Sequence, residues 1–557
     1  MTTLSKWRFL AVVLLLPLPP TATRGNVYVT DVKLNGAPVL VTGGAPGAVT
    51  INYRLNEPAT LGVTVNISSS TNIRTLTATN DVPGAVNTII WDGNDSNGIA
   101  APAANYLVSI TAAAAGYTNW TQINSDTNGA NYVFDPLGVA VNCNSNSPFY
   151  GRVFMDNATT GPNPQSAPGD NVTLLKLNAD DTYPIDGPDG TGGYYGIEET
   201  GLPAQPATQK LRVGADDRLY MNDLYDPDTG FEEVVAFDML LSQYQVVLNY
   251  GNYQANPFAG NLEAGVGWFS MDVTGAGTTN GLIWLGEWDA GGAGIWNWHL
   301  INGVADPNDS TGNPAVLAGG SLSEAASGGL MVDTNLDIFV GQNLTNSRDA
   351  RADCMVFTNW NHGLAFNGKA VTNGTGWTAG GGSKSFLGVF DTTIDSRQQP
   401  KYVACALNGG TASNGIVILA NAATNATVAA TLDPGNRYSA TGWDNAGNLY
   451  AVSPSAHLLR IFSPPSGSNQ ATTTAGVWLA PNIISVTAAQ GAVTVTFTAA
   501  RSDAASQFAL QSADAVNGPF VTVPGATVTQ VSPGTFSVSA AAAGPEQFYQ
   551  IAMAVPE

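Results

Sequence analysis

The chain has 557 residues, with 42 Asp and Glu against 20 Lys and Arg, a net charge of −22, and only 11% charged residues. A nucleic-acid backbone or an anionic bilayer needs clustered cations, so both are excluded as partners. The 44% hydrophobic fraction is enough for large cores, the length implies several domains, and three Cys with three His cannot build a metal–thiolate framework.

Residues 1–25 read as a secretory signal. Lys6 and Arg8 form the positive start, Phe9 to Leu16 the apolar run, and Thr21-Ala22-Thr23 the small residues for cleavage. An apolar run of about eight residues is too short to cross a bilayer. No later segment is apolar enough to do so. The expected location is secreted or cell-surface, outside the cell or in a periplasm. Removing the segment also removes Lys6, Arg8 and Arg24, which leaves a still more acidic chain.

Beyond it the sequence is almost wholly β. Apolar and β-branched residues alternate between clusters of Gly, Asn, Asp and Pro, and 62 Gly with 32 Pro are what frequent turns require. Residues 26–125 read as a sandwich, with strands at Val49-Ile51-Tyr53 and Leu61-Val63-Val65. A strand ends at Trp91, a polar turn Asp92-Gly93-Asn94-Asp95 follows, and a strand restarts at Tyr106. Asp92, Asn94 and Asp95 suit either a turn bonded to its own backbone or a calcium loop. The former is the simpler reading.

Residues 130–465 contain a repeat. An apolar strand, an Asp-bearing turn and an aromatic or aliphatic strand recur at Leu211–Tyr220, Gly329–Phe339 and Gly442–Tyr450. Buried-type runs are marked by Leu177, Phe237, Trp298, Phe357, Leu419 and Phe462, with a period near 60 residues that shortens only at the last. Four short strands per such period imply a β-propeller, six- or seven-bladed, because radial repetition hides strand edges. A stack of sandwiches is the alternative. Residues 466–476, Pro- and Ser-rich before them and Thr-rich within, read as a linker. Residues 477–557 read as a second sandwich, with strands at Ile483–Val486, Ala492–Thr498, Phe508–Ser512, Val521–Val523 and Gln547–Met553. The fold class is therefore all-β: a propeller flanked by two β-sandwich modules.

Three resemblances follow from these residues. The Trp91-Asp92-Gly93 turn and the Tyr106 strand resemble the FlgD-type immunoglobulin-like domain, although Ala104-Asn105 stands where that family has Gly. Asp444-Asn445-Ala446-Gly447-Asn448-Leu449-Tyr450 resembles the D-x-x-G-N-L-Y signature of NHL-like secreted bacterial propellers. Phe508, Leu510, Gly518-Pro519-Phe520 and Phe548-Tyr549 resemble fibronectin-type-III-like modules. They imply spacer or adhesion modules around a rigid recognition face.

Chemistry is expected on long inter-strand loops. Asp223, Asp226, Asp228 and Glu232 concentrate carboxylates that suit either a solvated acidic loop or calcium, a hard cation that takes six to eight oxygens. A second acidic stretch runs from Asp180 to Asp189. Trp284, Trp288, Trp296 and Trp298 could stack on sugar rings, or pack between blades. Glu287, Asp289 and His299 are the residues that could serve as acid and base on a glycosidic or uronate bond. Asp333 and Asp444 recur at equivalent repeat positions and read as turn-formers. Cys143, Cys354 and Cys405 read as buried small side chains. No nucleophile elbow, zinc-protease motif, phosphate loop or dinucleotide fingerprint occurs. The leading expectation is an exported binding protein for a glycan or a surface protein. The rivals are a polysaccharide lyase or glycoside hydrolase, and a structural matrix component.

Overall fold

A computed structural model describes residues 26–157 except 80, 174–184, 186, 207–224, 233–249, 268–287 except 278 and 279, 294–306, 315–318, 329–341, 354–357, 389–395, 402–408, 414–421, 427–541 and 547–554. Among these residues there is no α-helix, only strands and two short 3-10 turns. The scarcity of long charged helix formers and the strand-length alternation account for this.

Six radial sheets form the propeller. Blade 1 is built from Val139–Val141, Val153–Asp156 and Leu174–Leu177, and blade 2 from Ala207–Val213, Arg218–Leu224, Glu233–Asp238 and Tyr244–Asn249. Blade 3 contains Trp268–Thr274, Leu282–Glu287, Gly294–Ile301 and the flanking Ala315–Ala318. Blade 4 contains Gly329–Val332, Ile338–Gly341 and Cys354–Phe357, and blade 5 contains Val389–Asp395, Tyr402–Asn408, Asn414–Ala420 and Thr427–Leu432. Blade 6 joins Ala440–Trp443, Leu449–Ser453 and Leu458–Ser463 to Thr121–Gln122, a strand from before blade 1. The first strand of every blade lies innermost. Each packs on the next, and blade 6 packs on blade 1, so the ring closes at six. The closing pairs are Phe462 with Gln122 and Ser463 with Thr121.

The six marks read from the sequence all fall on the third strand of a blade. The Asp-bearing turns join first to second strands. Asp444 Oδ1 accepts from the amides of Ala446 and Asn448, both at 2.8 Å. Asp333 Oδ1 accepts from those of Asn335 and Asp337. In the Asp444 turn, Gly447 takes a φ of 90°, a value that glycine adopts without strain. Both aspartates are the turn-formers that the repeat implied.

The first sandwich has sheets of three and five strands. Its larger sheet corrects the expected linker. Asn469–Leu479, which follows the propeller, inserts between Leu40–Thr42 and Tyr106–Ala114. The propeller is thus an insertion between two strands of one sandwich. This strand escapes a sequence reading because only Ala471, Ala475 and Val477 give it an apolar side, while Thr472 and Thr474 face water. The second sandwich begins at Asn482, with sheets of four and three strands. It includes Thr527–Ser532 and Thr535–Ala541, which the alternation pattern did not single out.

The first sandwich packs on the face of the propeller that carries the Asp turns. Asn448 Nδ2 donates to the Asn26 carbonyl at 2.9 Å, the Tyr28 and Tyr450 hydroxyls lie 3.4 Å apart, and Arg54 pairs with Asp180 at 2.9 Å. The second acidic stretch therefore begins as an interface.

Candidate functional site

The second-to-third strand connections leave the ring on the face opposite the Asp turns. Leu224 and Glu233 bound one in blade 2, and Glu287 and Gly294 bound one in the neighbouring blade 3. The acidic and aromatic segments thus depart from one face of adjacent blades. Asp226, Asp228, Glu232, Trp288 and Asp289 lie outside the described residues. Asp223, Glu287 and Trp296 are placed in strands, with side chains that are not described.

Two expectations need correction. Trp284 and Trp298 do not offer a sugar platform: they are 0% and 4% exposed. Trp284 Nε1 donates to Thr274 Oγ1 at 3.0 Å, and Trp298 packs in the core between blades 2 and 3 with Tyr220, Ile283 and Leu300. Alternation along a strand sent these indoles into opposite faces of one blade. Nor do Glu287 and His299 form an acid–base pair. His299 pairs with Leu282, five residues from Glu287, so the two sit at opposite ends of the hairpin. At strand rise that is about 17 Å, beyond the roughly 5–9.5 Å that glycosidases use.

The Asp92–Asp95 turn bonds to its own backbone. Asp92 Oδ1 accepts from the Asn94 amide, and Asp95 Oδ1 from those of Asn97 and Ile99. Among the described residues, no group of three or more His, Cys, Asp or Glu has metal-holding geometry.

The ring axis holds a constellation that sequence reasoning missed. Arg212, on the inner strand of blade 2, reaches across the channel to Asp391 of blade 5, with Nη2 and Oδ1 3.1 Å apart. Its Nη2 also donates to the Leu330 carbonyl of blade 4, and its Nε lies 3.8 Å from Asp272 of blade 3. Lys210 Nζ donates to the carbonyls of Leu137 and Ser439, at the entrances to blades 1 and 6. Asp272 and Asp391 then accept from the amides of Val332 and Thr441. Two cations of one strand therefore tie all the other inner strands together. Burial pushes Lys210 down to about 8, against the pull of Asp391, and pushes Asp272 up to about 6, against Arg212. The signal was available: Lys210-Leu211-Arg212 spends two of only 20 cations in a strand that otherwise reads as buried.

Beside this axis a cavity of about 240 Å³ opens among Arg212, Asp272, Asp395, Asn445 and Cys143. Cys143 Sγ donates to the Trp443 carbonyl at 3.1 Å. The cavity faces the Asp turns, where Ala446 packs under Tyr28 of the first sandwich.

No family model matches the chain, and no curated protein resembles it. Among solved structures it is similar to the soluble aldose sugar dehydrogenase of Escherichia coli, with 9% identity over 62% of this chain and 99% of that one and a TM-score of 0.36. The β-propeller domain of the Trilobed protease of Pyrococcus furiosus gives 8% identity over 66% and 91%, with a TM-score of 0.29. TolB of Acinetobacter baumannii gives 8% over 62% and 66%, with a TM-score of 0.26. The six-bladed architecture rests on the chain's own strand pairing rather than on these likenesses.

Proposed function

We propose that the protein is an exported recognition protein that holds a glycan or another surface protein on the propeller face opposite the first sandwich. One observation carries this reading. The sandwich occupies the Asp-turn face, while the acidic and aromatic connections of blades 2 and 3 start from the other face. Export rests on the signal-like residues 1–25. The FlgD-like and fibronectin-III-like resemblances make the two sandwiches spacers that present this face. Calcium held by Asp223, Asp226, Asp228 and Glu232 would bridge to sugar hydroxyls or to a partner's carboxylates. Catalysis is the second reading: Glu287 and His299 are separated along the blade, which leaves Glu287 with Asp289 as its acid–base pair.

The test is a glycan array and a surface-protein pull-down with the full chain, each run with calcium and with chelator. Retained ligand that is lost in the Asp226→Asn/Asp228→Asn double variant is the expected result. Turnover of a polysaccharide that Glu287→Gln abolishes, with no ligand retained by either assay, would overturn it.

A further inference from the structure

A cleft of about 890 Å³ lies between the two sandwiches, away from the propeller. That volume is within the range of small-ligand sites, which favour domain junctions. Its geometry is fixed by one side chain. Asn105 Oδ1 accepts from the Leu479 amide at 2.8 Å, and Asn105 Nδ2 donates to Asp503 Oδ1 of the second sandwich at 2.5 Å. Asp503 Oδ2 in turn accepts from the Ala500 amide at 2.9 Å, which holds the opposing wall.

Trp478 lines this cleft from the inserted strand and is half-buried. Its indole lies against Gly476, where an added Cβ would stand 2.3 Å from Nε1. The ring is thus held down on the sheet. Beyond it the outer face of the sheet carries two cross-strand rows. One is Thr474, Ser109, Asn66 and Thr75, and the other is Thr472, Thr111, Thr64 and Thr77. The Thr111 and Thr472 hydroxyls are 2.8 Å apart, and Thr75 Oγ1 donates to Asn66 Oδ1 at 2.9 Å. The cleft lining is neutral apart from Arg501.

A flat aromatic surface next to ranks of uncharged donors and acceptors matches one ligand chemistry. A pyranose ring has an apolar face that stacks on an indole and a polar rim that needs neutral hydrogen-bonding partners. We propose that the cleft binds a neutral pyranose oligosaccharide, with one ring on Trp478 and the following residues laid along the Thr/Ser/Asn rows. This site is separate from the propeller face and does not depend on it.

The test titrates the full chain with cellohexaose, xylohexaose, mannohexaose and chitohexaose, by calorimetry and tryptophan fluorescence. At least one hexasaccharide binds. Trp478→Ala weakens it by about tenfold or more, the loss expected for one stacked ring. Ser70→Trp, a change at an exposed hairpin residue on the cleft wall, blocks binding without touching the core. Chelator leaves the affinity of this cleft unchanged, which separates it from the calcium-dependent propeller face. Absence of binding by all four sugars overturns the proposal, as does unchanged affinity in Ser70→Trp. The latter variant decides the matter if Trp478→Ala fails to fold.

Discussion

Asp391 is fully buried, and its two oxygens accept from Arg212 of the opposite blade and from the amides of Thr392 and Thr441. Removing its charge leaves the buried Arg212 guanidinium with only the more distant Asp272 carboxylate, 3.8 Å from its Nε. Asp391→Asn is therefore expected to cost about 3–5 kcal/mol, read as a lowered melting temperature in scanning calorimetry. Asp444 acts more locally, through the two turn amides and the Asn448 side chain. Asp444→Ala should cost about 2–3 kcal/mol, the scale of orphaning buried donors. Asp333→Ala, which removes the same two amide contacts in blade 4, should cost less, because Asp444 also holds Asn448, the residue that bonds Asn26 of the sandwich.

At the scale of elements, Asn469–Leu479 decides what can fold alone. It pairs along nine residues with the Tyr106–Ala114 strand and supplies Val477 to the sandwich core. A fragment of residues 26–115 lacks this strand and exposes a central sheet edge. That fragment is expected to show no cooperative unfolding by circular dichroism. Fusing residues 466–480 to its end through a short flexible linker should restore it. A cooperative transition in the bare fragment would contradict the assigned topology.

For the whole molecule, the double chain crossing makes the first sandwich and the propeller one mechanical unit, while the second sandwich is joined by one chain connection at residues 480–481 and by the Asn105–Asp503 hydrogen bond. The junction of that unit is acid-stabilised. Burial pushes Glu57 up to about 7, opposed by the Tyr117 hydroxyl and reinforced by Asp444. Burial likewise pushes Asp181 up to about 7, opposed by Asn131 and reinforced by Asp180. Both folded-state values lie above the unfolded ones near 4, so the stability these groups lend is present at low pH and is lost as pH rises through about 7. The melting temperature is expected to be higher at pH 5.5 than at pH 8. Glu57→Gln should narrow that difference, as read by calorimetry at the two pH values.

The sequence by itself determined the all-β class, the period near 60 and the turn role of Asp333 and Asp444. Each of these is written in local alternation and local hydrogen bonding, which neighbours in the chain settle among themselves. Six marks placed on six third strands show how far a repeat carries. Tertiary structure alone decided the rest. Whether Thr472 belongs to a linker or a sheet depended on a partner strand more than 350 residues away. Whether Trp284 faces sugar or core depended on blade stacking, and whether Glu287 could work with His299 depended on hairpin register. The axis of Lys210, Arg212, Asp272 and Asp391 exists only because ring closure brings three distant segments onto one line. A charge count that first excluded nucleic acid thus gains a second meaning, since two of the few cations are spent holding the ring together.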